Sequence, residues 1–479
     1  MLFPTIDFAI FFAVAFTANW ALHPYRRLWK LAMIAASYVF YSWWDWRFVV
    51  LLGAVTLVAH GGALIIDRAH QDRAHQDRAR RWALAGSVAT LLGLLAWFKY
   101  YGFLAVNLDN LSHSLGSGRL LPLLEVTLPV GISFFTFMAV SYLVDVYRRR
   151  IDPAPLVDVA VYLSFFPHLV AGPIVRGEEL LPQIQRHRDP RRIDFSRAAW
   201  LIAAGLFKKV VVSSYVASAI VDPVFSAPRQ HTALEILFAV YGYAVQIYAD
   251  FSGYTDIAIG CALLLGFRFP DNFDAPYTAR SLQDFWRRWH ITLSRWLRDY
   301  LYIPLGGNTG SRWATARNVV ITMVLGGLWH GAAWTFVAWG AIHGAGQVVG
   351  HERRRRRSEA GRAPLPDGRW RIIGQRVGTF HLVCLGWVFF RADSLRSAGV
   401  LLERLVMSWG RAPLVTPLVV MTIAGAVAAQ YLPPKAIERA QFTFSRQRVL
   451  VQGAILGLTL LVVTTLGPQG VAPFIYYRF

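Results

Sequence analysis

Long apolar stretches, separated by short polar ones, dominate the sequence. A membrane-spanning helix needs about 20 mostly apolar residues, and charged or turn-forming residues bound eleven stretches near or above this length. The pattern predicts an all-α polytopic membrane protein with about ten or eleven crossings. The stretches cover roughly residues 6–22, 28–42, 48–66, 82–98, 129–147, 210–225, 233–249, 317–349, 372–390, 412–431 and 449–466.

Basic residues occur in alternate connections between these stretches. The connections after the first, third and fifth stretches are rich in arginine, whereas those near 43–47 and 100–127 are not. Because cytoplasmic loops are enriched in Lys and Arg, the pattern predicts that the N-terminus lies outside and that the arginine-rich loops lie in the cytoplasm. Further basic runs at 353–357 and 435–448 are then cytoplasmic.

Composition excludes a soluble nucleic-acid-binding protein, although the pI is near 10.4. Of the 479 residues, 16% are charged and 55% are hydrophobic, whereas soluble domains have about 25% charged residues. The net charge of +21 lies mostly in the basic loops, so the expected partner is the lipid bilayer and not a nucleic acid. Cys261 and Cys384 lie in apolar stretches, which predicts neither a disulfide nor a cysteine metal site.

Ionisable residues inside apolar stretches are costly and often mark functional sites. The first such group is residues 165–173, where two prolines and a glycine surround His168. The pattern predicts a re-entrant segment. A proline-kinked span, with His168 bonded to a backbone carbonyl, is the alternative and stays open.

The second group contains two carboxylates, Asp250 and Asp256, at or near membrane depth. Each is expected to face protein or water. They either pair with arginine or take part directly in chemistry.

Residues 283–300 form the third group and predict one interfacial amphipathic helix. Its apolar stripe comprises Trp286, Trp289, Leu293, Trp296, Leu297 and Tyr300, with tryptophans at the lipid headgroups. On the opposite face Arg287, Arg288, Arg295 and Arg298 point to water or contact the phosphates of an acyl carrier, and His290 lies at the edge. The following loop, ending at Asn308, contains adjacent glycines that permit close backbone approach.

The fourth group is residues 325–344, where Trp329 and His330 lie between glycines. We expect these glycines to clear space around the His330 imidazole. A neutral histidine at membrane depth is a suitable general base at physiological pH. Gly340 and Gly344 predict close approach of another helix. His343 is accordingly either a packing residue or a reactive one.

Three motifs resemble the membrane-bound O-acyltransferase (MBOAT) family. They are DFWRRWH at 284–290, YIPLGGN at 302–308 and LWHG at 328–331. The pattern is most similar to the bacterial alginate O-acetylase branch, which is related to the D-alanyl transfer protein of teichoic acid synthesis. Residues 165–173, 250–256 and 474–479 are also similar to that branch.

The resemblance implies re-entrant segments and tilted spans around a central tunnel. It also implies one integral-membrane domain over 1–479, with N-terminal spans at 1–150, a catalytic core at 151–350 and C-terminal spans at 351–479. The family's central histidine corresponds to His330 and its second polar position to His290.

The implied activity is O-acetyl transfer without a bound cofactor or metal. Acetyl-CoA or another acetyl thioester would be the co-substrate, and the acceptor would be an exopolysaccharide hydroxyl, alginate first, or a periplasmic hydrolase-like acetyltransferase partner. His330 would be the base, while His290 would orient it, polarise the acyl carbonyl or position the acceptor. Supporting residues would be Asp250, Asp256, Arg287, Arg295, Arg298, Asn308, Trp329 and His343.

Two other functions fit the same residues. One is an O-acyltransferase for cellulose, peptidoglycan, teichoic acid or lipid. The other is a transporter or flippase for a lipid-linked sugar, which predicts internal two-fold repetition. No such repeat is evident by inspection.

Overall fold

The structure, a computed structural model, describes residues 1, 3–71, 76–116, 121–361 and 367–466. The closing 474–479 motif lies outside these residues. In the first half the helices are α1 (Ile6–Ala21), α2 (Arg26–Ser42), α3 (Arg47–Gln71), α4 (Gln76–Ser114), α5 (Ile132–Tyr147), α6 (Leu156–Ser164), α7 (Phe166–Leu169), α8 (Gly177–Gln185), α9 (Phe195–Leu206), α10 (Ser214–Val216) and α11 (Asp222–Ser226).

The second half is also helical. Its helices are α12 (Ala233–Leu264), α13 (Leu282–Arg288), α14 (Ile291–Leu297), α15 (Arg312–His330), α16 (Trp334–Glu359), α17 (Arg369–Arg391), α18 (Leu395–Met407), α19 (Pro417–Ala429), α20 (Pro434–Ser445) and α21 (Val449–Leu466). Among the described residues, β-structure is limited to an isolated antiparallel bridge between Phe273 and Trp289.

Every apolar stretch identified in the sequence falls on a helix, and the stretch at 317–349 is divided between α15 and α16. Five helices of the described chain are long and apolar enough to cross a membrane, and the pair α19–α20, bent by 94°, raises this to six. The five long helices are Arg47–Ala69, Asp77–Ser114, Phe195–Ser226, Arg369–Arg391 and Val449–Leu466. The ten or eleven crossings predicted from the sequence would require shorter apolar helices, such as α1 and α5, to be counted as well. The chain is therefore an all-α, polytopic membrane protein.

Hydroxyl side chains fix the starts of several helices. The side chains of Ser281, Ser311, Ser394 and Thr416 each accept a hydrogen bond from the backbone N–H three residues further on. This contact satisfies one of the N–H groups that a helix leaves open at its start. The sequence thus positions α13, α15, α18 and α19 locally.

The backbone forms two compact units. The first comprises residues 1–198 with 258–270, and the second comprises residues 199–257 with 271–479. The single-domain organisation with sections 1–150, 151–350 and 351–479 stays a prediction.

In the first unit, the proline-rich segment at 165–173 separates short helices. The nine residues of α6 and the four of α7 are each too short to cross a bilayer. His168 is buried, and its Nε2 lies 3.0 Å from the carbonyl oxygen of Tyr162. Since a carbonyl only accepts, Nε2 is the protonated nitrogen. The contact of His168 with a backbone carbonyl is the one expected for a proline-kinked span. The short lengths of α6 and α7 show that the backbone here is not one continuous spanning helix.

Candidate active site

The backbone around His290 departs from the single amphipathic helix predicted for 283–300, and that prediction is wrong. α13 ends at Arg288 and α14 begins at Ile291, because His290 lies between them in the left-handed region, at φ 42°. A neighbouring extended segment supplies the hydrogen bonds that the break removes. Asp274 N–H donates to Arg288 O at 2.9 Å, and Ile291 N–H donates to Asn272 O at 3.0 Å. Positive φ is uncommon in residues with a side chain, and such strain is concentrated at functional sites.

The tryptophans of this segment are buried in protein, not placed at the lipid headgroups as predicted. Trp289 is 1% exposed, and Trp286 and Trp296 are also buried. The Trp289 ring stacks on that of Phe285, with centroids 5.5 Å apart. The apolar stripe is therefore part of the core of the second unit, since the helix break lets both short helices pack inward.

His290 is fully buried and is held by Asn272, a residue that the sequence did not single out. His290 Nδ1 lies 3.2 Å from Asn272 Oδ1. The same oxygen accepts from Thr292, from its backbone N–H at 3.2 Å and from its hydroxyl at 2.9 Å. A backbone N–H can only donate, so the Asn272 atom in this position is the oxygen. His290 Nδ1 therefore carries the proton, and Nε2 of the neutral ring carries the lone pair.

His330 is the last residue of α15 and is 3% exposed. Aromatic rings surround its imidazole: those of Trp329, Trp339 and Phe390 each have centroids 5.1 Å away. The Trp329 ring also lies 5.8 Å from that of His290. One indole thus contacts both histidines that the sequence nominated.

The glycines near His330 face the start of α16, and the expectation that they clear space around the imidazole stays a prediction. A Cβ on Gly331 would lie 2.0 Å from the Phe336 ring, and one on Gly327 would lie 2.2 Å from Phe336 O. The absent side chains thus make room for the start of α16. A Cβ on Gly340 would lie 2.5 Å from Met323 O, which confirms the predicted close approach of another helix.

His343 lies on α16 and packs against α13 and α17. Its Nδ1 accepts a hydrogen bond of 3.2 Å from the Trp286 indole N–H. Its Nε2 lies 2.8 Å from the position that a Cβ of Gly386 would take. Of the two roles left open by the sequence, packing is the one these contacts describe.

Asp250 and Asp256 both pair with lysine, not with arginine. Lys209 donates to Asp250 in an almost fully buried pair, and Lys208 donates to Asp256 in a pair about one quarter exposed. The sequence analysis missed both lysines, although two adjacent cations within an apolar stretch are a readable signal.

The lysines lie on a distorted helix that approaches α12 closely. Between α9 and α10 the backbone widens into a π-helical turn over Phe207–Ser213, and a second one covers Ala217–Val221. A Cβ on Gly205 would lie 2.6 Å from Gly253 O, and one on Gly253 would lie 2.7 Å from Gly205 O. π-Turns often occur at functional sites, and here the turn places both lysines against α12.

The arginines near His290 are bound to carboxylates or face outward. Arg298 Nε donates to Asp299 at 2.6 Å, and Arg287 is exposed. Arg295 is partly exposed, and Asn308 is exposed on the loop that precedes α15. These side chains do not share the buried environment of His290.

The Asp284 carboxylate links the first turn of α13 to the backbone just before the helix and to a side chain one turn further on. It accepts from the Arg280 N–H at 3.0 Å and from Arg288 Nε at 2.8 Å. Burial alone would raise the pKa of Asp284, but these hydrogen bonds outweigh it and hold that pKa below its ordinary value.

Among the described residues, no group of three or more His, Cys, Asp and Glu could hold a metal ion.

The described chain is a multi-pass helical fold in which buried histidines lie among aromatic rings, and comparison with known proteins identifies its class. Residues 88–361 match the family described as MBOAT, membrane-bound O-acyltransferase. The chain belongs to this family and is an O-acyltransferase that uses an acyl donor as co-substrate. The family assignment therefore favours the enzyme over the transporter alternative.

Three relatives are similar over most of their length. A probable alginate O-acetylase AlgI of Azotobacter vinelandii is 41% identical, over 82% of this chain and 76% of that protein. A probable alginate O-acetylase AlgI of Pseudomonas aeruginosa is 42% identical, over 77% and 68%. A peptidoglycan O-acetyltransferase of Helicobacter pylori is 35% identical, over 84% and 79%.

Proposed function

We propose that this chain transfers acetyl from a cytoplasmic acetyl thioester to a hydroxyl of an exopolysaccharide, alginate, directly or through a periplasmic acetyltransferase partner. The observation that carries the proposal is that His290 and His330 both contact one buried indole, that of Trp329. Similarity to the alginate O-acetylases supports the choice of polymer.

His330 is the general base in this proposal. It ends α15, and the C-terminal end of a helix stabilises positive charge. The imidazolium that forms when His330 takes a proton is favoured there. His290 has the opposite setting, because it immediately precedes α14, at the end that disfavours a cation.

His290 positions the acceptor. With Nδ1–H directed to Asn272, the neutral ring presents only a lone pair at Nε2. It can accept a hydrogen bond from a sugar hydroxyl, but it cannot donate one to the acyl carbonyl. Of the three roles expected from the sequence, positioning the acceptor agrees best with this tautomer.

The proposed reaction is a balanced acyl transfer. The acceptor oxygen attacks the thioester carbonyl carbon as His330 takes the hydroxyl proton. The tetrahedral intermediate then collapses, the carbon–sulfur bond breaks, and the thiolate leaves with the proton returned by His330. The products are the acetyl ester and the free thiol.

The direct test uses purified protein, labelled acetyl-CoA and alginate, with and without the periplasmic partner. We expect His330→Ala to abolish labelling at unchanged membrane abundance. His381→Ala is the matched control, because His381 lies outside the site and bonds to Tyr241. Unimpaired labelling by the His330 variant would refute its role as base. Labelling that requires the partner would indicate relay, and labelling without it would indicate direct transfer.

Peptidoglycan is a second candidate acceptor, because the Helicobacter pylori relative bears that activity in its name. The same assay with peptidoglycan strands in place of alginate separates the two. Preferential labelling of peptidoglycan would replace alginate as the acceptor and leave the chemistry unchanged.

The proposed setting is the bacterial inner membrane, with the N-terminus in the periplasm. The distribution of arginines between loops supports this orientation. Reporter fusions at the N-terminus and after residue 357 should report opposite sides of the membrane.

A further inference from the structure

In the first unit, α4 is longer than a membrane span. Its 39 residues rise about 58 Å at roughly 1.5 Å per residue, whereas the hydrocarbon core of a bilayer is about 30 Å thick. The apolar stretch of α4 covers 82–98, and the exposed Trp82 and Trp97 lie at its two ends. Tryptophan is enriched at both membrane–water interfaces. The end of α4 after Gly102 therefore extends beyond the hydrocarbon core, on the side predicted to lie outside.

The composition of this end of α4 agrees with a position in water. Residues 103–115 contain two asparagines, two serines, an aspartate and a histidine, which are costly in contact with lipid. This segment rises about 18 Å at roughly 1.5 Å per residue. Apolar side chains that it exposes are consequently not explained by contact with lipid chains.

Four leucines form one stripe along this segment. Leu104, Leu108, Leu111 and Leu115 follow one another at spacings of four, three and four residues. At 100° per residue they lie within about 60° of one another around the helix. Leu115 directly follows α4, and its N–H still donates to Leu111 O at 3.1 Å. These residues, here called the leucine seam, are 37–74% exposed.

The spacing of the leucine seam is that of a coiled coil. Trp97 and Tyr101, whose ring centroids lie 4.9 Å apart, continue the alternation of four and three residues toward the membrane. An apolar residue recurring every 3.5 residues places one side of a helix against a partner helix with the same repeat. The repeat covers 97–115. The helix thus presents the surface that a second copy of itself would complement.

The positions beside the leucine seam carry no charge, so identical helices would not repel each other there. These positions are Ala105, Asn107, Ser112 and Ser114. The ionisable residues of the segment, Asp109 and His113, lie away from the seam, with His113 Nε2 3.6 Å from Asp109 Oδ1. Ala105 and Ser112 are buried. The chain's own packing therefore lies beside the seam and leaves the leucines exposed.

We propose that the leucine seam binds the leucine seam of a second copy of this chain, as a short parallel coiled coil outside the hydrocarbon core. All copies inserted in one membrane have the same orientation, so a two-fold axis along the membrane normal brings two seams together in parallel and in register. Confinement to the plane of the membrane raises the effective concentration of the two copies. The pairing concerns a surface that the proposed acetyl transfer does not use.

The first test is disulfide cross-linking in native membranes at low expression. Leu111 faces its own counterpart in the proposed dimer, within reach of a disulfide, whereas Val106 is exposed on the opposite face of α4. On oxidation, we expect Leu111→Cys to give a linked species of twice the chain mass, about tenfold or more abundant than that from Val106→Cys. The wild type controls for Cys261 and Cys384, which are buried.

The second test is the mass of the full chain in mild detergent, measured by native mass spectrometry. The wild type should be a dimer. Leu108→Glu with Leu111→Glu should be a monomer, because pairing would bring four carboxylates into the contact. Val106→Glu is the matched control and should stay dimeric. Unfolding temperatures should agree among the three proteins, since the substituted side chains lie on the surface.

Equal cross-linking at positions 106 and 111, or none at either, would overturn the proposal. Cross-linking of Leu111→Cys to a different protein would do the same and would make the seam a docking site for that protein. A monomeric wild type, or a dimer that persists in the doubly substituted chain, would also refute it. Lipid retained by a monomeric wild type and lost from the doubly substituted chain would identify the seam as a lipid contact. Acetyl transfer is measured in none of these experiments, so failure of the proposed function is read separately.

Discussion

The amide oxygen of Asn272 lies 3.2 Å from Nδ1 of His290 and also accepts both donors of Thr292. This three-way contact fixes the orientation of the amide, and the amide fixes the tautomer of the imidazole. The lone pair of His290 is thereby confined to Nε2. A residue 18 positions away in sequence thus determines what His290 can do chemically.

Replacing Asn272 with leucine should lower kcat/KM by roughly ten- to a hundredfold, by analogy with metal-bound histidines that lose an orienting hydrogen bond. The ring would lose the acceptor that holds it. Thr292→Val is the control, because it removes one hydrogen bond to Asn272 and leaves the contact with His290. Steady-state acetyl transfer by both variants checks the prediction, and equal activity would contradict it.

Replacing Lys209 with methionine should destabilise the protein by about 3–5 kcal/mol, because it leaves the buried charge of Asp250 without its cation. The double variant Lys209→Met with Asp250→Leu should recover much of the loss. Lys208→Met should cost less, since the Lys208–Asp256 pair is partly exposed. Thermal unfolding in detergent measures these three variants and Asp250→Leu alone, and a double variant as unstable as the sum of its two single changes would argue against the pairing.

Replacing Gly327 with alanine should destabilise the α15–α16 contact by about 1–3 kcal/mol, because the new Cβ would meet the Phe336 carbonyl oxygen. Gly374→Ala in α17 is the matched control. A Cβ there meets nothing within 4 Å among the described residues, and alanine favours a helix by up to about 1 kcal/mol. The unfolding temperatures should move in opposite directions, and a shared direction would contradict the packing argument.

The Asp284 carboxylate should stabilise the fold at neutral pH but not in acid. Its pKa is lower in the folded chain than its ordinary value of about 3.9. The stabilisation is therefore present above that ordinary value and is lost as pH falls through the lowered folded one. Wild type should unfold at a higher temperature than Asp284→Asn near neutral pH, and the difference should shrink below about pH 4. A difference that grows in acid would show the opposite sign.

The sequence by itself determined the helices and the family. Apolar stretches of membrane length must satisfy their backbone hydrogen bonds internally, so they become helices whatever their neighbours are. The motifs around His290 and His330 could also be recognised from the sequence, because they consist of particular residue types at particular spacings. The hydroxyl caps at Ser281 and Ser311 are local in the same way.

Only the tertiary structure decided how these residues are used. The periodicity of 283–300 predicts one helix, but backbone pairing with Asn272 and Asp274 replaces its hydrogen bonds and breaks it at His290. The lysine partners of Asp250 and Asp256 lie more than 40 residues away, so no local pattern names them. Contacts between distant segments, not helical propensity, therefore set the tautomer of His290 and bury the neighbouring tryptophans. Such contacts also pack the glycines of α15 against α16.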